Sequence, residues 1–372
     1  AIIQACLTKP ILRCTLCKRF LKAFTIVDFA RMPGLNEHIR PTISDVAERA
    51  GVSIATVSRV MNKTGPVAEA TAARVQDAIR ELNFTPHATA RGLATRKTNT
   101  LGLILRDISG EFFQPMLKGV EAGTREYGFD LLIHCTHRPA TDGAPSHYPL
   151  SEHNADGILV FTDSLDEAEI MRLHQAQFPL ILLHRSAPHS LDIPCVTIEN
   201  KSGARKIVDH LIEQHGYRRI AFLVGEDGSE DSYWREMGYR EALAAHDIPF
   251  DPALIGKGGF NEQVASQAVK SWLDQGLDVD AIFAGDDDSA VGAIAALKEA
   301  GIRVPEDVAV VGFDDIPISR HLSPPLTTVR VPIETAAREA VNQLVRLIRT
   351  GEAENLILLP TELVIRYSCG CS

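Results

Sequence analysis

Between Ser53 and Asn62 the chain sets out side chains that can read a nucleic acid. Arg59 carries a planar guanidinium fork. Such a fork can donate two parallel hydrogen bonds to guanine O6 and N7, about 1–3 kcal/mol of discrimination. Ile54 and Ala55 offer small apolar surfaces that suit thymine methyl groups. Ser53, Thr56 and Ser58 can donate to phosphates, as can the open backbone N–H groups at a helix start. At helical spacing Ile54, Ala55, Ser58, Arg59 and Asn62 form the exposed face. A plain helical hairpin with a solvated polar face has the same shape, so the shape alone decides nothing.

A second set follows apolar runs farther on. Phe112 and Phe113 come after Leu101–Leu105, and Glu199-Asn200 after Val196–Ile198. Asp286-Asp287-Asp288 come after Ala281–Ala284, and Asp314-Asp315 after Val308–Phe313. Open parallel sheets present ligands at the carboxyl ends of their strands, which is where these residues fall. Carboxylates there can accept from vicinal hydroxyls, and aromatic faces can stack on a ring. The three aspartates also fit an acidic helix start or a divalent cation, and the phenylalanines fit a core.

The elements that must hold these residues are legible. Thr42 can cap a helix whose apolar residues Ile43, Val46, Ala47 and Ala50 keep a three/four spacing. Gly51 ends it, since only glycine takes a left-handed turn without a Cβ clash. Ser53 caps a second helix, Ile54 to Asn62, and a third is predicted over Glu69 to Leu82. Helix, glycine turn, helix is the arrangement whose second helix enters a major groove. From Leu101 the rhythm changes to short apolar strands alternating with amphipathic helices, Ser202–Gln214 and Arg235–His246 among them. That pattern predicts parallel sheets covered on both faces. About 270 residues exceed a single core, which implies two lobes.

Charge agrees with this division. Residues 1–100 carry 15 Lys/Arg against 7 Asp/Glu, whereas residues 101–372 carry 23 against 41. A basic head on an acidic body is the asymmetry expected when one end meets a polyanion. The seven cysteines form no disulfide framework and suit a reducing cytoplasm. Cys14 and Cys17 have no obvious partners at zinc-ligand spacing. His210 and His215, five apart, do not match the His-Glu-x-x-His pair, so neither metal nor cofactor is expected. No Gly-x-x-x-x-Gly-Lys loop, Gly-x-Gly-x-x-Gly turn or Gly-x-Ser-x-Gly elbow is present, which argues against an enzyme. No apolar run of about 18 residues suggests a membrane span.

Longer motifs sharpen the reading. Thr42-Ile43-Ser44-Asp45-Val46-Ala47, Ala50-Gly51-Val52-Ser53 and Thr56-Val57-Ser58-Arg59-Val60-Met61-Asn62 closely resemble the lactose-repressor family of bacterial regulators. So do Glu81 to Pro86, Ala90-Arg91-Gly92-Leu93-Ala94, Gly301 to Val308 with Gly312-Phe313-Asp314-Asp315, and Pro324 to Val329. The resemblance covers residues 41–372. It implies an N-terminal all-α helix-turn-helix domain joined to an α/β periplasmic-binding-protein-like domain of two parallel-sheet lobes.

The expected organisation is an extension (1–40), a helix-turn-helix domain (41–85), a hinge helix and linker (86–100), and an effector-binding and dimerisation domain (101–372). In the last, one lobe would hold about 101–199 and 332–360, and the other about 200–331 and 361–372. The resemblance further implies a cytoplasmic, nucleoid-associated homodimer or tetramer, expected to repress. It would bind a palindromic operator under control of a small molecule. A sugar is the first expectation, a nucleoside or purine the second, and a transport solute-binding protein or an enzyme remote. Leu93 matches the family's minor-groove wedge, Ala90 lets two hinges approach, and Ser44 and His87 complete the DNA-contacting set. Phe112, Phe113, Glu199, Arg235, Phe260, Asp286 and Asp314 match effector-site positions. The chain departs from the family at Glu199, where Asp is usual, at Asp286, where Asn is common, and at His184. Residues 136–154 hold Pro139, Pro145 and Pro149 where a clear helix is expected.

Overall fold

A computed structural model describes residues 41–85, 97–136, 150, 152–188 and 191–371. These fall into two compact units, one helical and one α/β. Residues 1–40 and the hinge positions His87, Ala90 and Leu93 lie outside the described residues, as do Cys14 and Cys17.

The helical unit consists of α1 (Ile43–Ala50), α2 (Ile54–Asn62) and α3 (Glu69–Glu81). Thr42 caps α1 reciprocally: its backbone N–H donates to Asp45 Oδ2 at 2.7 Å, and Asp45 N–H donates to Thr42 Oγ1 at 3.4 Å. Gly51 sits at φ 64° and ψ 43°, and its N–H closes back on the carbonyls of Ala47 and Glu48. Val46, Val57 and Val75, one from each helix, are fully buried together with Ala47, Ala50, Ala78 and Phe84. This small core fixes the angle between α1 and α2.

The α/β unit has two parallel sheets. The first joins β1 (Thr100–Leu105), β2 (Asp130–Cys135), β3 (Gly157–Phe161), β4 (Leu180–Leu183), β5 (Cys195–Ile198) and β11 (Leu356–Leu359) in the order β11-β5-β4-β3-β1-β2. The second joins β6 (Ile220–Val224), β7 (Ile255–Lys257), β8 (Ala281–Ala284) and β9 (Ala309–Val311) in the order β7-β6-β8-β9. A short antiparallel pair, β10 (Thr328–Arg330) with β12 (Glu362–Val364), lies where the chain returns between the lobes. Strands β1, β3, β4 and β8 are buried along their whole length, as strands covered on both faces must be.

The covering helices are α4 (Phe113–Glu126), α5 (Glu167–Gln175), α6 (Asn200–His215), α7 (Glu230–Ala245), α8 (Glu262–Asp274), α9 (Asp287–Glu299) and α10 (Ile333–Thr350). Glycine lets pairs of them touch backbone to backbone. A Cβ on Gly119 of α4 would lie 2.3 Å from the Glu334 carbonyl oxygen of α10. One on Gly238 of α7 would lie 2.2 Å from the Lys201 carbonyl oxygen of α6.

Boundaries differ from the sequence reading at two informative places. Helix α7 begins at Glu230, not Arg235, because Ser229 accepts from Ser232 N–H at 3.3 Å and caps an extra turn. Helix α6 begins at Asn200, directly after the Glu199 junction, two residues before the expected Ser202.

Candidate functional site

The first site is the outer face of α2. Ser53 caps the helix: its hydroxyl accepts from Thr56 N–H at 3.2 Å and lies 2.9 Å from Thr56 Oγ1. Val57 points inward and is fully buried, which turns the opposite face out. Ser53, Ile54, Ala55, Arg59 and Asn62 are exposed, while Thr56 and Ser58 are half-buried. Ile54 keeps half its surface in solvent, unusual for so apolar a side chain. Asn62 Nδ2 donates to Ser58 Oγ at 3.2 Å, so these two polar groups are already aligned. Among the described residues no ion pair holds Arg59. Ser44, on α1, is also exposed. The structure thus presents the sequence-expected residues of α1 and α2 on an open surface of the unit.

The second site is a cavity of about 450 Å³ between the lobes of the α/β unit, at the carboxyl ends of the strands. From the first lobe come Arg106 and Asp107 after β1, Phe112 and Phe113 at the start of α4, and Phe161 with Asp163 after β3. From the second come Glu226 after β6, Asp231 and Arg235 on α7, Phe260 after β7, Asp286 and Asp288 after β8, and Asp314 after β9. Phe112 and Phe113 meet edge to face at 5.6 Å, and both pack against Phe161. They form one aromatic wall. An ion pair between Arg106 and Glu226 crosses the gap, and Glu230 of α7 accepts from the Ser186 backbone N–H at 2.8 Å. Glu111 accepts from Ile318 N–H at 2.7 Å across the same gap.

Arg235 is the centre of the polar floor and is only 3% exposed. Its Nε donates to Asn200 Oδ1 at 2.8 Å, one terminal nitrogen donates to the Gly285 carbonyl, and the other to Asp314 Oδ1 at 3.2 Å. The guanidinium also stacks 3.9 Å from the Phe313 ring centre and 5.5 Å from that of Phe260. Asn200 in turn donates to Asp231 Oδ1 at 2.6 Å. These four bonds fix the guanidinium and the amide, so the floor is preorganised. Asp314 itself holds φ 111°, a backbone conformation that aspartate tolerates better than most residues, and its N–H is tied to the Val329 carbonyl at 2.7 Å.

Of the residues expected from sequence, Phe112, Phe113, Arg235, Phe260, Asp286 and Asp314 line this cavity. Glu199 does not. It sits at the β5–α6 junction, where its carbonyl accepts from Gly203 N–H and Thr361 Oγ1. The neighbouring Asn200 makes the contact to Arg235. Asp286 caps α9 by accepting from Ser289 N–H at 3.0 Å while also facing the cavity. Asp287 turns away from it and accepts from Ser319 Oγ, Thr328 Oγ1 and the Ile316 N–H at 2.5, 2.6 and 3.0 Å. It latches α9 to the interlobe strand β10. Asp231, Arg106 and Glu226 were not singled out from sequence, although the latter two follow apolar runs closely.

Among the described residues, seven carboxylates line the cavity (Asp107, Asp163, Glu226, Asp231, Asp286, Asp288 and Asp314) against two guanidiniums, Arg106 and Arg235. Burial pushes Asp314 well up, with Arg235 opposing and Asp286, Asp287 and Asp231 adding to the rise. Burial likewise raises Asp286. Asp288 is pushed to about 6 by burial and then by Asp286, Glu111 and Glu262. Asp287 is pushed to about 7 by burial, which outweighs its three donors. Burial also works against Asp231, but His184, Arg235 and Asn200 outweigh it and hold that carboxyl low.

This has a consequence for stability. An acid whose folded pKa lies above its unfolded value binds more protons folded than unfolded. Its favourable contribution is complete below about pH 4 and is lost as pH rises through the folded value. For Asp287 and Asp288 that window ends near 7 and 6. The ligand-free protein is therefore expected to melt lower at about pH 8 than at about pH 5. Asp287→Asn should flatten that slope, as calorimetry across the range would show.

Two family models match the chain. Residues 42–87 match the model for "Bacterial regulatory proteins, lacI family", and residues 208–369 match the "Periplasmic binding protein-like domain". The HTH-type transcriptional regulator CelR of Thermobifida fusca is 36% identical over 338 residues, covering 88% of this chain and 98% of CelR. A solved CelR–cellobiose complex superimposes with a TM-score of 0.64 at 33% identity, over 88% of this chain and all of that one. The lac repressor dimer bound to operator and the anti-inducer ONPF gives a TM-score of 0.74 at 26% identity, over 88% and 99%.

Proposed function

The chain belongs to the lacI family of bacterial regulatory proteins, and from that membership we propose that it is a cytoplasmic, nucleoid-associated homodimeric repressor whose hold on a near-palindromic operator is set by a neutral sugar. Membership makes it a DNA-binding transcription regulator, not an enzyme. Two-fold protein symmetry accounts for the palindrome. Helix α2 would enter the major groove, with Arg59 on a guanine and Ile54 and Ala55 against methyl groups. No helix of the described residues is long and apolar enough to cross a membrane.

The observation that carries the effector class is the charge of the cleft. Even with Asp286, Asp288 and Asp314 protonated, Asp107, Asp163, Glu226 and Asp231 outnumber Arg106 and Arg235, so the cleft repels anions and phosphorylated metabolites are disfavoured. The same carboxylates are good acceptors for hydroxyl groups, and the wall of Phe112, Phe113 and Phe161 suits the C–H face of a pyranose ring. The cavity of about 450 Å³ is of the size that holds a mono- or disaccharide. The resemblance to a cellobiose-binding relative points the same way. A ligand held between lobes stabilises whichever opening of the cleft it fits, and DNA affinity follows by differential binding to the two states.

A melting-temperature screen of neutral sugars, sugar phosphates and nucleosides tests the class. At 100 times its Kd the effector adds about 2.7 kcal/mol of stability. Neutral sugars are expected to shift the melt. A shift by nucleosides or sugar phosphates alone would overturn the assignment.

A further inference from the structure

Outside the cleft lining, at the carboxyl end of α6, four soft donors converge that neither DNA reading nor effector binding uses. His210 and His215 come from α6, and Cys369 and Cys371 from the segment after β12. Their ligand atoms all lie within 4.8 Å of one another. Cys371 Sγ is 3.6 Å from His210 Nε2 and 3.4 Å from His215 Nε2. A tetrahedral zinc with Zn–S of about 2.3 Å and Zn–N of about 2.0–2.1 Å sets its ligand atoms about 3.3–3.8 Å apart. Both distances fall in that interval.

The geometry points to a structural zinc site made by His210, His215, Cys369 and Cys371. Two imidazoles and two thiolates in tetrahedral reach select zinc over hard cations, and four protein ligands leave no open position for catalysis. The surroundings are built to hold the donors in place. His215 stacks on Tyr217 at 5.2 Å with the rings 16° apart, and meets His210 edge-on at 5.2 Å. Tyr217 Oη donates to the Cys369 carbonyl at 3.4 Å. The Thr327 hydroxyl, which accepts from Arg366 N–H at 2.8 Å, lies 3.1 Å from Cys369 Sγ. Gly370, at φ 101°, a backbone conformation that strains other residues, brings the two cysteines to the same point, beside His215 and Tyr217.

Sequence reading assigned no metal, because a five-residue histidine spacing looks wrong on a continuous helix. Here His215 is the last residue of α6, and Gly216 turns left-handed directly after it. The cysteines arrive from more than 150 residues away. Bound zinc would rivet the segment after β12 to α6. That segment also holds β9 through Ser368 Oγ, which donates to the Val310 carbonyl, and the strand end beside Asp314 through the Arg366–Asp315 pair.

Purified full-length protein, reduced and exchanged into metal-free buffer after zinc supplementation, is the material for the test. Elemental analysis is expected to find about one zinc per chain. Cobalt(II) in its place should give visible bands of tetrahedral geometry and an ultraviolet thiolate-to-metal band. Cys371→Ser, at a half-buried position, should lose the metal and the thiolate band while keeping the native circular dichroism. Cys14→Ser/Cys17→Ser should retain both. A chelator should lower the melting point of the parent by several degrees and leave that of Cys371→Ser unmoved. Metal-free parent protein, a Cys371→Ser variant that binds zinc as well as the parent, or a Cys369–Cys371 disulfide in its place would each overturn the site.

Discussion

Arg59→Ala is expected to weaken binding to the native operator by about 5- to 150-fold, the equivalent of about 1–3 kcal/mol. The loss should be confined to one base pair in each half-site. Changing that pair should penalise the parent protein and leave the variant indifferent, a test in which competition binding with a set of single-base variants reads the result directly. The argument rests on what α2 leaves free. Val57 anchors the helix in the core of the unit, and Arg59, two residues on, is exposed with no ion pair among the described residues. Its charge is therefore available to a base edge without breaking a native contact. Effector response should survive, because Arg59 belongs to a separate unit from the cleft.

The reciprocal variant is Asp314→Asn. It should abolish the effector's effect on operator binding and leave affinity in the absence of effector within about threefold of the parent, a difference of about 0.6 kcal/mol. Asparagine tolerates the positive φ at this position and keeps a carbonyl facing Arg235, so the floor keeps its shape. What is lost is one of the two carboxyl oxygens that can bond a ligand hydroxyl in the cleft. Asp314→Ala is the harsher choice. It removes a partner of an Arg235 guanidinium that is only 3% exposed and places a Cβ residue without compensating bonds at φ 111°. That variant should also melt lower. Calorimetric titration of the effector, alongside operator binding with and without it, separates a lost ligand site from a damaged fold.

Much of this was legible in the sequence because local rules and the fold agree. Thr42, Gly51 and Ser53 announce the ends of α1 and α2 by capping chemistry alone, and the structure realises all three. Phe112, Asp286 and Asp314 could be found because parallel strands deliver ligand groups at their carboxyl ends. What escaped was non-local or a matter of one residue. Glu199 and Asn200 are adjacent, but the helix starts between them, so one holds the junction by its backbone and the other reaches Arg235. Asp231 lies in a helical turn that the sequence pattern did not extend to, since Ser229 rather than an apolar period starts α7. Asp287 looks like its neighbours until the fold shows that its partners, Ser319 and Thr328, come from beyond β9. The His–Cys cluster is the extreme case, joined only by the packing of α6 against the segment after β12.

The most direct test is the affinity of the parent protein for its own upstream duplex against a scrambled duplex of equal length, measured across a range of salt. Both affinities should fall steeply with salt as phosphate counterions are released, with the native duplex held about 1,000-fold or more tightly throughout. Equal affinity for the two duplexes at every salt concentration would contradict the assignment of α2 as a base-reading helix.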